Sequence, residues 1–199
     1  QLPQALVPAF QVDVVLPSYG VYQLDSQHWG RSERIADAVV SFAGSNQTVT
    51  LYRLSSTEEA REDSREEASC WVIDHPLFGA PPGQIYHDDP DNQPFATDAN
   101  IYALFCAAAV QLLKDGALAM PDVVHLHDWH AATFALLARD CSALSSLRLV
   151  YTIHNLALQG IRPLEGHPSS LASWFPELDL TQEQLRDPRY PDCYNPARA

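Results

Sequence analysis

Two short apolar runs, each ending in a polar cluster, leave this chain few ways to fold. Val123-Val124-His125-Leu126 leads into His127-Asp128-Trp129-His130, and Leu149-Val150-Tyr151-Thr152-Ile153 leads into His154-Asn155. Between them Phe134, Leu136 and Leu137 recur among alanines and polar residues as on an amphipathic helix. Strand, helix and strand within about thirty residues make a βαβ unit. A crossover of that length forces the strands to run parallel, so their carboxyl ends share one edge of the sheet. Ligands of open α/β sheets bind at that edge. Asp128 and His154, 26 positions apart, are therefore expected to face one crevice.

With 199 residues, 46% of them hydrophobic, the chain is long enough for one sizeable α/β core. No apolar run approaches the roughly 20 residues of a membrane-spanning helix, and no basic and then apolar leader opens the sequence. Met120 is the sole methionine, so the chain is expected to begin inside a longer product. The formal charge of −13 and the lack of Lys/Arg clusters argue against nucleic acid and anionic membrane as partners. The acidic cluster Glu58, Glu59, Glu62, Asp63, Glu66 and Glu67 reads as a solvated loop or short exposed helix. Cys70, Cys106, Cys141 and Cys193 form no CxxC pair, and Cys70 and Cys106 sit in apolar surroundings. Buried thiols in a reducing compartment are expected, which points to the cytoplasm.

Along the chain, Leu2, Ala5, Leu6 and Phe10 have helical spacing and Val12 to Pro17 reads as a buried strand. Segments 38–42 and 49–54 flank Gly44-Ser45-Asn46 and predict a hairpin. Cys70 to Ile73 is a further strand, and the Pro/Gly-rich stretch 76–94 an extended loop. Thr97-Asp98 is placed to cap a helix whose apolar stripe is Ile101, Leu104, Phe105, Ala108 and Leu112, with Gly116 ending it.

His125, His127, Asp128 and His130 invite a metal reading, since metal sites gather imidazoles and carboxylates at short spacing. The order is His-x-His-Asp-x-His, with the acid one place earlier than in the His-x-His-x-Asp-His of binuclear hydrolases. Strand alternation sends His125 and His127 to one face, whereas His130 starts the next helix. Taken alone, His125 reads as a core histidine satisfied by backbone. Asp128 stands where a helix N-cap is wanted, and also where a substrate hydroxyl could be held. Tyr86-His87-Asp88-Asp89 puts an aromatic ring beside polar groups, which suits the face of a sugar. Trp71, Trp129 and Trp174 read as packing residues. GxSxG, GxGxxG and GKS/GKT are all absent, so a serine hydrolase, a dinucleotide dehydrogenase and a P-loop nucleotidase each lack their signature.

The segments from Pro121 to His130 and from Tyr151 to Gly160 closely resemble the two signature segments of bacterial glycogen synthases and plant starch synthases. The resemblance extends to Leu2-Pro3-Gln4-Ala5-Leu6, Val14-Val15-Leu16-Pro17, Ile73-Asp74-His75-Pro76, 82–88 and 190–196. It implies a Rossmann-like, three-layer α/β domain with a mostly parallel sheet, the N-terminal half of a GT-B type glycosyltransferase. The activity it implies is retaining transfer of glucose from ADP-glucose, or UDP-glucose, to the non-reducing end of an α-1,4-glucan, with no catalytic metal and no cofactor. His154 would contact the glucosyl unit and stabilise its developing positive charge, and Asp128 would be the acid beside the sugar and acceptor. Tyr86 would line the pocket and Asn155 would shape it.

On this resemblance residues 1–199 are a partial N-terminal domain, with the first strand and the Lys-Thr-Gly-Gly phosphate loop expected upstream and the C-terminal domain downstream. The isolated chain is then expected to be inactive. Leu158 stands where the family's His-Asn-Leu-Ala-Tyr-Gln-Gly motif has tyrosine. Two rival readings remain: a metal-dependent hydrolase built on His125, His127 and His130, and a glucan-binding module without catalysis.

Overall fold

The computed structural model describes residues 2–22, 32–55 and 68–198. The acidic cluster at 58–67 lies outside the described residues. Gln1–Ala38 with Thr48–Ile85 form one compact unit, and Val39–Gln47 with Tyr86–Ala199 a second.

The first unit opens with α1 (Leu2–Leu6) and β1 (Asp13–Pro17), followed by β2 (Ser32–Phe42), β3 (Ser45–Leu54) and β4 (Ser69–Asp74). The helix is shorter than the spacing predicted and buries none of its residues, and Phe10 beyond it is 64% exposed. The four strands form one sheet in the order β1-β4-β3-β2, whose hairpin end belongs to the second unit. Strands β1 and β4 are parallel, with Val15 opposite Trp71, whereas β3 runs antiparallel to β4. The β2–β3 turn is Ala43-Gly44, both at positive φ (51° and 72°), earlier than the predicted Gly44-Ser45-Asn46. Two residues at positive φ match the right-handed twist of a hairpin, and glycine takes that conformation without a Cβ penalty. Alternation along the hairpin buries Ala38, Val40, Phe42, Val49 and Leu51.

The second unit contains α2 (Ala96–Lys114), β5 (Val123–His127), α3 (Asp128–Arg139) and β6 (Arg148–Thr152), then β7 (Arg162–Pro163), α4 (Leu171–Trp174) and β8 (Cys193–Tyr194). By length and composition α2 could cross a membrane, but 72% of its apolar window is buried inside the fold. It is a core helix. Ile101, Leu104, Ala108 and Leu112 are all at most 3% exposed. Its N-cap is Phe95 in left-handed conformation (φ 61°), so Thr97 and Asp98 lie inside the first turn instead of capping it. Helix α3 packs on α2 and spans the parallel pair β5–β6, in which His127 stands opposite Thr152. The predicted βαβ unit is present.

The α/β class holds, but a mostly parallel sheet does not. The described strands form sheets of four, two and two, and only β1–β4 and β5–β6 are parallel pairs. A two-residue turn can join only antiparallel neighbours, which makes the sheet mixed from β2 onward.

All four cysteines are free. Cys106 is buried, and desolvation pushes its thiol up to about 12. Cys70 is half-buried.

Candidate active site

The turn from β5 into α3 is strained at one residue. Asp128, the first residue of α3, has φ 54°, in the left-handed region that only Gly, Asn and Asp visit readily. The N-cap is His127, not Asp128, and it makes no side-chain capping bond. The Asp128 carboxylate is aimed instead across the sheet edge. Its Oδ1 accepts the backbone N–H of His154 at 2.6 Å and of Asn155 at 3.2 Å. The carboxyl ends of β5 and β6 are thereby tied together, and Asp128 and His154 share one edge as the βαβ reading requires.

The histidines divide into two groups. His125 and His127, two positions apart on β5, lie face to face at 4.2 Å between ring centroids. His125 Nε2 is 2.7 Å from the Thr152 hydroxyl, so it is satisfied by a side chain on the neighbouring strand, not by backbone. His127 Nδ1 is 2.9 Å from His154 Nε2. His127 has its pKa lowered by burial first, then by the imidazoles of His125 and His154, with Asp128 opposing. His130 belongs elsewhere: it stacks on Trp129 at 4.2 Å and meets Tyr102 edge-on at 4.5 Å. Burial lowers its pKa, against the opposing charges of Asp128 and Asp98. Among the described residues, no three His, Cys, Asp or Glu stand close enough to hold a metal ion.

Tyr86, Phe95, Asp128, Trp129, His130, Asn155 and Leu158 line a hollow of about 80 Å³. Ligand pockets run to roughly 300–1,000 Å³. These residues therefore make a wall on which a ring can lie, not an enclosing cavity. The wall carries a carboxylate, an amide and aromatic faces, the mixture that binds a sugar through both its hydroxyls and its C–H face. A larger hollow, about 300 Å³, borders Ala135, Ala138, Arg139, Leu144 and Leu149 and contains none of the sequence-predicted site residues.

The loop bearing Tyr86 is fastened to the start of α2 at two points. His87 Nδ1 is 2.6 Å from Oδ1 of Asp98, which is 1% exposed, and Asp89 accepts from the Thr97 amide and hydroxyl at 2.8 and 2.7 Å. Tyr86 itself is 67% exposed at the rim. Behind the wall, Asn195 links Gln159 (2.9 Å) to Asp187 (2.6 Å), and the buried Arg162 guanidinium donates to the carbonyls of Pro94 and Ser169. Trp174 is 2% exposed, which fits the packing role expected of it, and its indole N–H donates to Asn100 at 2.6 Å.

All four sequence-predicted residues, Asp128, His154, Asn155 and Tyr86, thus fall in the second unit. Asp128, Asn155 and Tyr86 line the wall, and His154 is bonded to Asp128 through its amide. Sequence reasoning missed Phe95, weighed His127 and His130 only as metal ligands beside His125, and assigned Trp129 to packing alone. Strand alternation did carry a signal for His127, which shares a face with His125.

The starch synthase catalytic domain family matches residues 1–199. Glycogen synthase of Francisella tularensis subsp. tularensis is 34% identical over 121 residues, 59% of this chain and 23% of that protein. Glycogen synthase of Burkholderia thailandensis is 40% identical over 92 residues, 45% of this chain and 17% of that protein. The catalytic domain of Arabidopsis thaliana starch synthase IV, solved bound to ADP and acarbose, superposes with a TM-score of 0.73 at 25% identity, covering 98% of this chain and 37% of that one. The chain thus matches about a quarter or less of the length of these curated relatives.

Proposed function

The chain belongs to the starch synthase catalytic domain family, and on that premise we propose that it is the acceptor-side part of a retaining glucosyltransferase. The parent enzyme moves glucose from ADP-glucose, or UDP-glucose, to the non-reducing end of an α-1,4-glucan. In this reading the chain is the Rossmann-like N-terminal half of a GT-B enzyme of the cytoplasm. The C-terminal domain of the same protein closes the site and supplies the groups on the nucleotide phosphates.

One observation carries the reading: the Asp128 carboxylate, bonded to the His154 amide, stands at the carboxyl ends of two parallel strands beside an aromatic wall. Asp128 and His154 act on the sugar as its bond to the donor loosens. Fixed negative and dipolar groups stabilise an oxocarbenium-like centre without reorganising during the step. Tyr86 and Asn155 hold the acceptor. The match of the Arabidopsis relative, solved with ADP and acarbose, supports both a nucleotide and a glucan as ligands here.

The test is elongation of a maltooligosaccharide by the full-length parent with ADP-glucose and, separately, UDP-glucose. The full-length protein is expected to transfer from at least one donor and this chain alone from neither. Binding of oligosaccharide without transfer by the full-length protein would make it a glucan-binding module. Hydrolysis with stoichiometric bound zinc would make it a metallohydrolase.

A further inference from the structure

The bond between His127 and His154 has an unusual shape. The ring centroids are 5.2 Å apart, the planes differ by 16°, and Nδ1 of one ring is 2.9 Å from Nε2 of the other. Rings stacked face to face would not bring two nitrogens that close at that centroid separation. The two imidazoles lie side by side, almost in one plane, as a direct N–H···N bond requires. Such a bond uses one proton, so one ring donates and the other accepts.

His127 is itself held on its other side. Its face stacks on His125 at 4.2 Å, and His125 is anchored by the Thr152 hydroxyl at 2.7 Å. The backbone of His154 is fixed separately by Asp128 at 2.6 Å. The side chain of His154 is exposed, and a free imidazole turns about χ1 and χ2 and exchanges between two tautomers. His127 removes both freedoms. We propose that His127 is a positioning residue, which fixes the rotamer and tautomer of His154 through this in-plane bond and leaves the Nδ1 edge of His154 for the sugar. The role at the sugar rests on the function proposed above, whereas the ring-to-ring lock does not.

Two measurements on the full-length parent separate these parts. The first is glucan elongation by His127→Phe, which keeps a flat ring on His125 but has no nitrogen, and by His127→Asn, whose amide occupies the Nδ1 position. Phe should lower kcat about ten- to hundredfold, the usual penalty for a misplaced reacting group, with acceptor and donor KM within about twofold. Asn should restore most of kcat. The second is the ¹⁵N shifts of histidine-labelled protein. His154 should show one protonated and one bare nitrogen in the unsubstituted parent and averaged tautomers in His127→Phe.

Unchanged kcat in Phe, or Asn as impaired as Phe at equal thermal stability, overturns the proposal. So do averaged tautomers in the unsubstituted parent. If Phe does not fold, His127→Ser takes its place, with the same expected split. A parent that transfers no glucose but shows a single His154 tautomer, lost in Phe, upholds the lock and refutes the proposed function instead.

Discussion

Gly160 lies directly against the indole of Trp129. A Cβ built on it would stand 2.9 Å from Cγ and closer still to Cδ2 and Cε3. Its φ of 64° is also one that L-residues resist. The glycine closing the loop after β6 thus seats the tryptophan in the first turn of α3, so the two signature segments are joined by packing as well as by the Asp128 bonds. Gly160→Ala is expected to destabilise the fold by about 3 kcal/mol or more, through left-handed strain and overpacking together. Urea denaturation measures it, and a loss under about 1 kcal/mol would mean that Trp129 moves aside freely.

Asp128 ties the two loops through one oxygen, and asparagine retains an amide oxygen and tolerates the same φ. Asp128→Asn should keep the His154 and Asn155 amides slow in hydrogen exchange, whereas Asp128→Ala should speed both. Glucan transfer by the parent should fall about tenfold in Asn, from loss of charge, and about a hundredfold in Ala, from loss of loop order as well. Equal exchange in all three proteins would show that the carboxylate does not hold the loop.

His127 and His130 both bind a proton less readily in the folded chain than in the unfolded one, where imidazole titrates near pH 6.5. Below about that pH the unfolded chain takes up more protons, so stability is complete above it and declines as pH falls. The thermal midpoint is expected to be lower at pH 5.5 than at pH 7.5, and His130→Gln should flatten the decline. An identical slope in the variant would remove His130 as a source.

Chelation tests the metal rival directly. Glucan elongation by the parent should be unchanged after exhaustive EDTA treatment. Activity lost to EDTA and restored by zinc would revive the hydrolase reading.

Much of the site was legible because its elements are long and its chemistry lies in short runs. The apolar runs before His127 and His154, with a helix between, dictate parallel strands and hence a common edge. What the sequence hid was conformational or distant. Asp128 looks like a cap, yet its backbone turns left-handed and sends the carboxylate to a loop 26 residues away. Thr97 and Asp98 look like a cap too, but a helix capped by Phe95 places them in its first turn, free to bind Asp89 and His87. Asn46 reads as a turn residue, but Gly44 takes the positive φ first and Asn46 falls within β3. The mixed sheet was half legible: the hairpin of 38–42 and 49–54 already implies antiparallel neighbours, whereas no local pattern shows that β4 pairs with β3 on one side and β1 on the other. The His127–His154 bond belongs to the same class: neither residue signals its reach across the strand pair.

The left-handed turn at Asp128 narrows what natural variation can place there. Glycine would fit the backbone but abandon the two amides, and glutamate would keep the charge at the cost of the bend. Any functional descendant of this chain therefore has almost no drift available at that position.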